Sequence, residues 1–134
     1  MVVLYYAATA PVNPAGSAPV LTAAQVWAGL RRKVRHADQF VPVITSCVVE
    51  REEGNVVHRR VTFEGRPAMT ETCTELAPHR VQFRLEDGTE VDNILAPGPD
   101  GDLHLTYAFK WKFPKIEEGG KEESDTLAAQ QKVS

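Results

Sequence analysis

From Val43 to Phe113 the apolar residues fall on every second position, and clusters of turn-forming residues interrupt them at short intervals. No other feature constrains the chain as much, because successive side chains of a strand point to opposite faces of a sheet. The alternating sets are Ile44-Ser46-Val48, Val57-Arg59-Val61-Phe63, Met69-Glu71-Cys73, Val81-Phe83-Leu85, Val91-Asn93-Leu95 and Leu103-Leu105-Tyr107-Phe109-Trp111-Phe113. Between them stand Glu53-Gly54-Asn55, Glu64-Gly65-Arg66, Ala77-Pro78, Asp87-Gly88 and Pro97-Gly98-Pro99-Asp100-Gly101. Connections this short join antiparallel neighbours. The apolar opening, residues 2–9, reads as a further strand.

The register follows from keeping one face apolar, since a one-residue slip turns every side chain over. Turns centred near Gly65, Ala77, Gly88 and Pro99 place Val61 opposite Met69 and Arg59 opposite Glu71. They also place Cys73 opposite Val81, Leu85 opposite Val91 and Leu95 opposite Leu103. Glu71 then faces Phe83, Asn93 faces Leu105, and Tyr107 faces Val91. A two-residue Asp87-Gly88 turn would pair Leu85 with Glu90 and mix the faces, so a three-residue turn with a bulge is expected there.

Pro11, Pro14, Gly16 and Pro19 make the segment after the first strand a loop. Thr22 and Gln25 have the spacing of a capping box. Val26, Trp27, Leu30 and Val34 then recur at helical spacing, with a further short turn over His36–Phe40 before Pro42. Glu117 to Ser134 is acidic and contains Gly119-Gly120. A short helix from about Ser124 to Lys132 is expected, capped by Ser124 or Asp125.

The 134 residues suit one domain, 1–134, with an acidic tail over 116–134. With 43% hydrophobic and 25% charged residues the chain is globular in composition. A net charge of −3 disfavours a nucleic-acid reader. The basic cluster Arg31, Arg32, Lys33, Arg35 reads as a solvated helix face, with an anion or membrane contact as the other reading. Cys47 and Cys73 lack metal-ligand spacing and read as free thiols. No apolar run is long enough to span a bilayer and no signal peptide is evident, so no stable membrane association and a cytoplasmic location are expected.

The segments Val20–Leu30, Phe40–Cys47, Arg59–Phe63 and Gly98–Leu103, as they stand in this sequence, resemble the AtaL-like branch of the SRPBCC (START-like) superfamily. The resemblance implies an α+β helix-grip fold: a curved seven-stranded antiparallel sheet, an N-terminal helical segment and a C-terminal helix gripped by the sheet. It implies a ligand cavity between them. Domains of this kind bind lipids, hormones and polyketides, and some are cyclases; AtaL-like members are associated with fungal secondary metabolism. The tail departs from the pattern, being short, polar and broken by two glycines.

Three polar residues interrupt the apolar inner sets: Arg59, Glu71 and Asn93. With Tyr107 they put a guanidinium, an acid, an amide and a phenol on one concave wall. Ligand sites are mostly apolar with few placed polar groups, so Glu71 and Arg59 are the candidate catalytic pair. A guanidinium beside Glu71 favours its carboxylate form, which suits the pair to steering a carbonyl or carboxylate. A buried ion pair fixing strand register explains the same two residues equally well. Asn93, Tyr107, Trp27, Phe63, Phe83, Phe109 and Trp111 are the candidate ligand-binding residues, although core packing is the default for both tryptophans. His58 and His104 alternate to the outer face, and His36 and His79 sit in turns. No nucleotide-binding loop, hydrolase triad or metal spacing occurs, so no metal and no cofactor are expected.

The expected function is to hold a small, largely apolar ligand in an internal cavity, as a cofactor-independent cyclase or isomerase of secondary metabolism. A non-catalytic binding or carrier protein uses the same cavity. A structural dimer whose cavity a partner fills is a third reading. The tail offers Leu127, Val133 and a few alanines to cover the apolar face, so a homodimer is expected.

Overall fold

Each strand of the alternating region is present, and the strand that opens the chain is hydrogen-bonded to the one that ends it. In the computed structural model, which describes residues 1–114 with 120 and 121, the strands are β1 (Val2–Pro11), β2 (Ile44–Glu53), β3 (Val56–Phe63), β4 (Met69–Leu76), β5 (Arg80–Leu85), β6 (Glu90–Pro97) and β7 (Leu103–Phe113). They form one antiparallel sheet in the order β1-β7-β6-β5-β4-β3-β2. Helix α1 (Ala23–Arg35) and a 3-10 turn (Ala37–Gln39) connect β1 to β2. The fold is α+β and of the helix-grip type. The expected C-terminal helix lies outside the described residues.

The α1 start is the capping box read from the sequence. Thr22 Oγ1 accepts from the Gln25 backbone N–H at 3.2 Å, and Gln25 Oε1 accepts from the Thr22 N–H at 2.9 Å. Such caps are worth about 1 kcal/mol. Val26, Leu30 and Val34 form the buried stripe of the helix, and Leu30 and Val34 pack against Val57, Cys73, Val81 and Phe83 of the sheet. Burying a side chain of this size contributes about 1.5–3 kcal/mol, far more than the cap, so the stripe decides which way α1 lies.

A separate cluster holds β1. Val2 and Leu4 bury against Trp111, with Tyr6, Phe109 and Phe113 around them.

Three hairpins differ from the sequence register, each by two residues. Cys73 faces Phe83 rather than Val81, Val91 faces Phe83 rather than Leu85, and Leu95 faces Leu105 rather than Leu103. In consequence Glu71 faces Leu85, Asn93 faces Tyr107, and Tyr107 no longer faces Val91. The faces are unchanged because the side-chain period is two, so apolar patterning cannot tell these registers apart. Turn geometry does. Leu85 donates to Thr89 O across the three-residue turn Glu86-Asp87-Gly88, and Gly88 takes φ +90°. A Cβ there would also meet Lys112 Cδ at 2.7 Å.

Strand β2 departs by one residue. Ile44 faces Phe63 but Ser46 faces Thr62, so an extra residue enters β2. The bulge reverses the alternation: Cys47 and Val49 turn inward, and Val48, expected with Ile44 and Ser46 on the inner face, is 56% exposed.

Candidate functional site

The Val61–Met69 and Arg59–Glu71 pairs form as read from the turn at Gly65. Both charged side chains point into the fold: Arg59 is 3% exposed and Glu71 8%. Arg59 Nε and Nη2 donate to Glu71 Oε1 at 2.9 and 2.5 Å. Its Nη1 donates to the carbonyl oxygens of Lys33 and Val34, at 3.1 and 2.6 Å. These carbonyls lie in the last turn of α1, where helix C-termini leave acceptors unsatisfied and favour a cation. Arg59 therefore ties β3 to β4 and to the end of α1. Burial is the largest single influence and works against its charge, but the Glu71 carboxylate, with smaller contributions from Cys73 and Cys47, holds the guanidinium above its ordinary pKa.

That end of α1 delivers a second cation. Lys33 is three residues past Leu30 and seven past Val26, on the stripe that faces the sheet. Its Nζ donates to Asn93 Oδ1 at 2.9 Å. It also lies 5.3 Å from the Tyr107 ring centroid and 5.6 Å from that of Phe83. The Arg59 guanidinium approaches the same Phe83 ring at 5.2 Å. Burial, then the Arg59 charge, lowers the Lys33 pKa to about 8, with Glu71 opposing. Asn93 is fully buried, and its Nδ2 has no acceptor among the described residues. The lysine fixes the amide orientation, because turning the amide over would set two donors against each other.

Around this group the described residues leave a hollow of about 780 Å³. Lys33, Arg59, Glu71, Asn93 and Tyr107 supply polar groups to its lining, as do Arg66, Asp87, Thr89 and Lys112. Phe63, Phe83, Phe109 and Trp111 supply much of its apolar part, with Phe109 stacked on Trp111 at 5.0 Å between ring centroids. Phe40 and Val43, both partly exposed, also line it. Eight of the nine sequence-nominated residues thus share one wall. Trp27 lies outside it and packs beside the core cluster under α1.

Two inward-facing charges, half-buried Lys33 and buried Glu75, escaped the sequence reading. Lys33 was grouped with a solvated basic face, although its spacing from Leu30 and Val26 already placed it on the inner stripe. Glu75 continues the Met69-Glu71-Cys73 parity and is 8% exposed. It accepts from Arg35 Nη1 at 2.9 Å and Arg31 Nε at 3.3 Å, while Arg35 Nη2 also reaches Glu52 at 2.7 Å. Hydrogen bonds to Glu75 and Glu52 raise the Arg35 pKa. Within the basic cluster Arg31 and Arg32 are exposed; Arg35 and Lys33 are not.

Cys73 and Cys47 are free thiols. Burial pushes the Cys73 thiol up to about 12. His79 Nδ1 lies 3.0 Å from Leu95 O, and His104 is 3.3 Å from Asp102. Among the described residues no group of His, Cys, Asp and Glu side chains is placed to hold a metal ion. No helix among them is long and apolar enough to cross a membrane.

The family model described as acetylaranotin biosynthesis cluster protein L matches residues 6–134. The chain belongs to the AtaL family. It is 26% identical over 113 residues to the acetylaranotin biosynthesis cluster protein L of Aspergillus terreus, covering 83% of this chain and 67% of that protein. Among solved structures it is similar to the di-domain ARO/CYC StfQ from the steffimycin biosynthetic pathway, with a TM-score of 0.71 at 12% identity over 98% of this chain. It is also similar to the di-domain ARO/CYC BexL from the BE-7585A biosynthetic pathway, with a TM-score of 0.68 at 10% identity over 98% of this chain. The chain spans about half the length of those two proteins, 46% and 47%. At such identities the likeness shows the AtaL-family chain to share their fold.

Proposed function

We propose that this AtaL-family chain is a ligand-binding domain that seats a small, largely apolar, carbonyl-bearing metabolite in the hollow. There it steers a cyclisation or isomerisation of secondary metabolism that needs no cofactor. One observation carries the reading: polar donors converge among aromatic and aliphatic side chains, and one of them, Asn93 Nδ2, is buried with no acceptor among the described residues. A carbonyl or enolate oxygen would be that acceptor. Aromatic walls fold a flexible chain towards a near-attack shape, and donors set in advance stabilise the enolate that attacks and the alkoxide that develops on the attacked carbonyl as the carbon–carbon bond closes. The names of the relatives, from biosynthetic clusters and di-domain ARO/CYC proteins, agree with this reading. Arg59 is bound on three sides, so it serves chiefly to hold Glu71 and the end of α1 in place. Asn93, Tyr107 and Lys33 are nearer to hand for a ligand.

The test is a synthetic aryl triketone able to close an intramolecular aldol bond. Closure by the purified protein should exceed the spontaneous rate, and Asn93→Ala and Tyr107→Phe should each lower it about tenfold or more. Stoichiometric binding with no acceleration would instead favour the carrier reading, which the same hollow supports. The assembly proposed is a homodimer, on the ground that residues 115–134 carry few large apolar side chains to cover an apolar mouth. Light scattering at micromolar concentration should give twice the chain mass; a ligand-free monomer would refute it.

A further inference from the structure

Lys33 is within reach of a ligand in the hollow, and a role as a polar contact leaves its amine chemistry unused. It projects from α1 between two aromatic rings, hydrogen-bonds Asn93 Oδ1, and has no salt-bridge partner among the described residues. Among the described residues the carboxylate nearest to it is that of Glu71, which Arg59 takes up. An amine placed so is partly shielded from water and, among the described residues, has no counter-charge to itself. We propose that Lys33 is a nucleophile that forms a reversible imine with an aldehyde or ketone group of an apolar ligand in the hollow.

The inference rests on the proposed seat for a carbonyl-bearing ligand and adds a covalent step to it. Desolvation and an adjacent cation are the two means by which proteins make a lysine amine nucleophilic, and both act on Lys33. With its pKa lowered to about 8, the free base at neutral pH exceeds that of an ordinary lysine by a factor on the order of a hundred. The charged groups facing it are Arg59 from β3 and Glu71 from β4, with the Tyr107 phenol from β7; Asn93 from β6 and Phe83 from β5 are neutral. Asp87 and Lys112 also line the hollow.

The step balances without a co-reactant. The Nζ lone pair forms the C–N bond as the carbonyl π pair moves to oxygen. One Nζ hydrogen passes to that oxygen to give the carbinolamine. The second leaves with the hydroxyl as water, and the C=N bond forms. Asn93 Nδ2 is the donor at hand for the oxygen while it carries charge. Hydrolysis reverses the sequence and returns the carbonyl compound.

The probe is 2-naphthaldehyde with cyanoborohydride, which reduces the imine to a stable secondary amine. Peptide mapping should find one adduct per chain, on Lys33, with a trapping rate half-maximal near pH 8. The alcohol 2-naphthol, which fits the same walls and cannot form an imine, should block it. Lys33→Met and Lys33→Arg should both lose the adduct, and loss of the adduct in a variant that still binds 2-naphthol, read by tryptophan fluorescence, assigns the amine as the reacting group. If 2-naphthol binds while aldehyde is trapped only on surface lysines at the rate of free amines, the imine is refuted and the seat stands. If 2-naphthol does not bind, the seat itself is wrong and the inference falls with it.

Discussion

Glu71 and Glu75 lie four residues apart on the same buried face of β4, and each receives arginine, yet the two clusters are built differently. Around Glu75, Arg31, Arg35 and Glu52 close a set of ion pairs that opens to solvent, with Arg31 54% exposed and Arg35 22%. Around Glu71, Arg59 closes an equally tight pair deep in the fold, but Lys33 and the Asn93 amide are left over beside it. A cluster whose donors and acceptors cancel holds α1 on the sheet. Among the described residues the inner cluster keeps a cation and a donor in excess beside aromatic rings, which is the ground for the proposed ligand seat.

Breaking the inner pair should have the largest effect. Arg59→Met leaves the Glu71 carboxylate buried and the last α1 carbonyls without their donor, and should cost about 3–5 kcal/mol in urea unfolding. Arg59→Met with Glu71→Met should recover most of that loss, because no uncompensated charge remains. A double variant as unstable as the single one would mean that the α1 carbonyl contacts outweigh the ion pair.

Lys33 sharpens the comparison through pH. Its folded pKa, about 8, lies below the ordinary 10.5, so the unfolded chain binds more protons between those values. Stability should therefore rise across that window through Lys33, by up to about 3 kcal/mol. Cys73 acts in the opposite sense: its thiol is held near 12 against an ordinary 9.0, so stability should fall between those values. The difference between wild type and Lys33→Met isolates the first effect. A flat difference curve from pH 8 to 10.5 would place the Nζ in water.

The outer cluster should respond less. Glu75→Gln should cost about 1 kcal/mol, since Arg31 is exposed and resolvates easily while Arg35 keeps Glu52, and the loss should shrink in high salt. A loss as large as that for Arg59→Met would erase the distinction. The smallest effect is kinetic: Cys47, half-buried, should react with a thiol reagent in the folded protein, whereas Cys73 should react only on unfolding.

The Arg59–Glu71 pair was legible because it depends on one tight turn, at Gly65, and on parity. The capping box at Thr22 was legible for the same reason, its partners being three residues apart. Lys33 faces inward, as its spacing from Val26 and Leu30 requires, although a run of basic residues suggests a wet face; only the buried stripe of Val26, Leu30 and Val34 decides where such a run points. Glu75 followed the same parity as Glu71; its burial depended on where Arg31 and Arg35 would come to lie.

The alternation by itself determined the strands, their antiparallel order from β2 to β7 and the face on which Arg59, Glu71, Asn93 and Tyr107 stand. These need only interactions between residues close in sequence, and an even slip in register leaves them intact. The tertiary structure decided what depends on distant packing. Burial of Val2 and Leu4 against Trp111 placed β1 beside β7. The bulge after Ile44 turned Cys47 and Val49 inward. The seating of α1 on Val57, Cys73, Val81 and Phe83 carried Lys33 to Asn93, sixty positions further along the chain. Local pattern fixes which face a side chain takes, and the burial of separate apolar surfaces against one another fixes what that face meets.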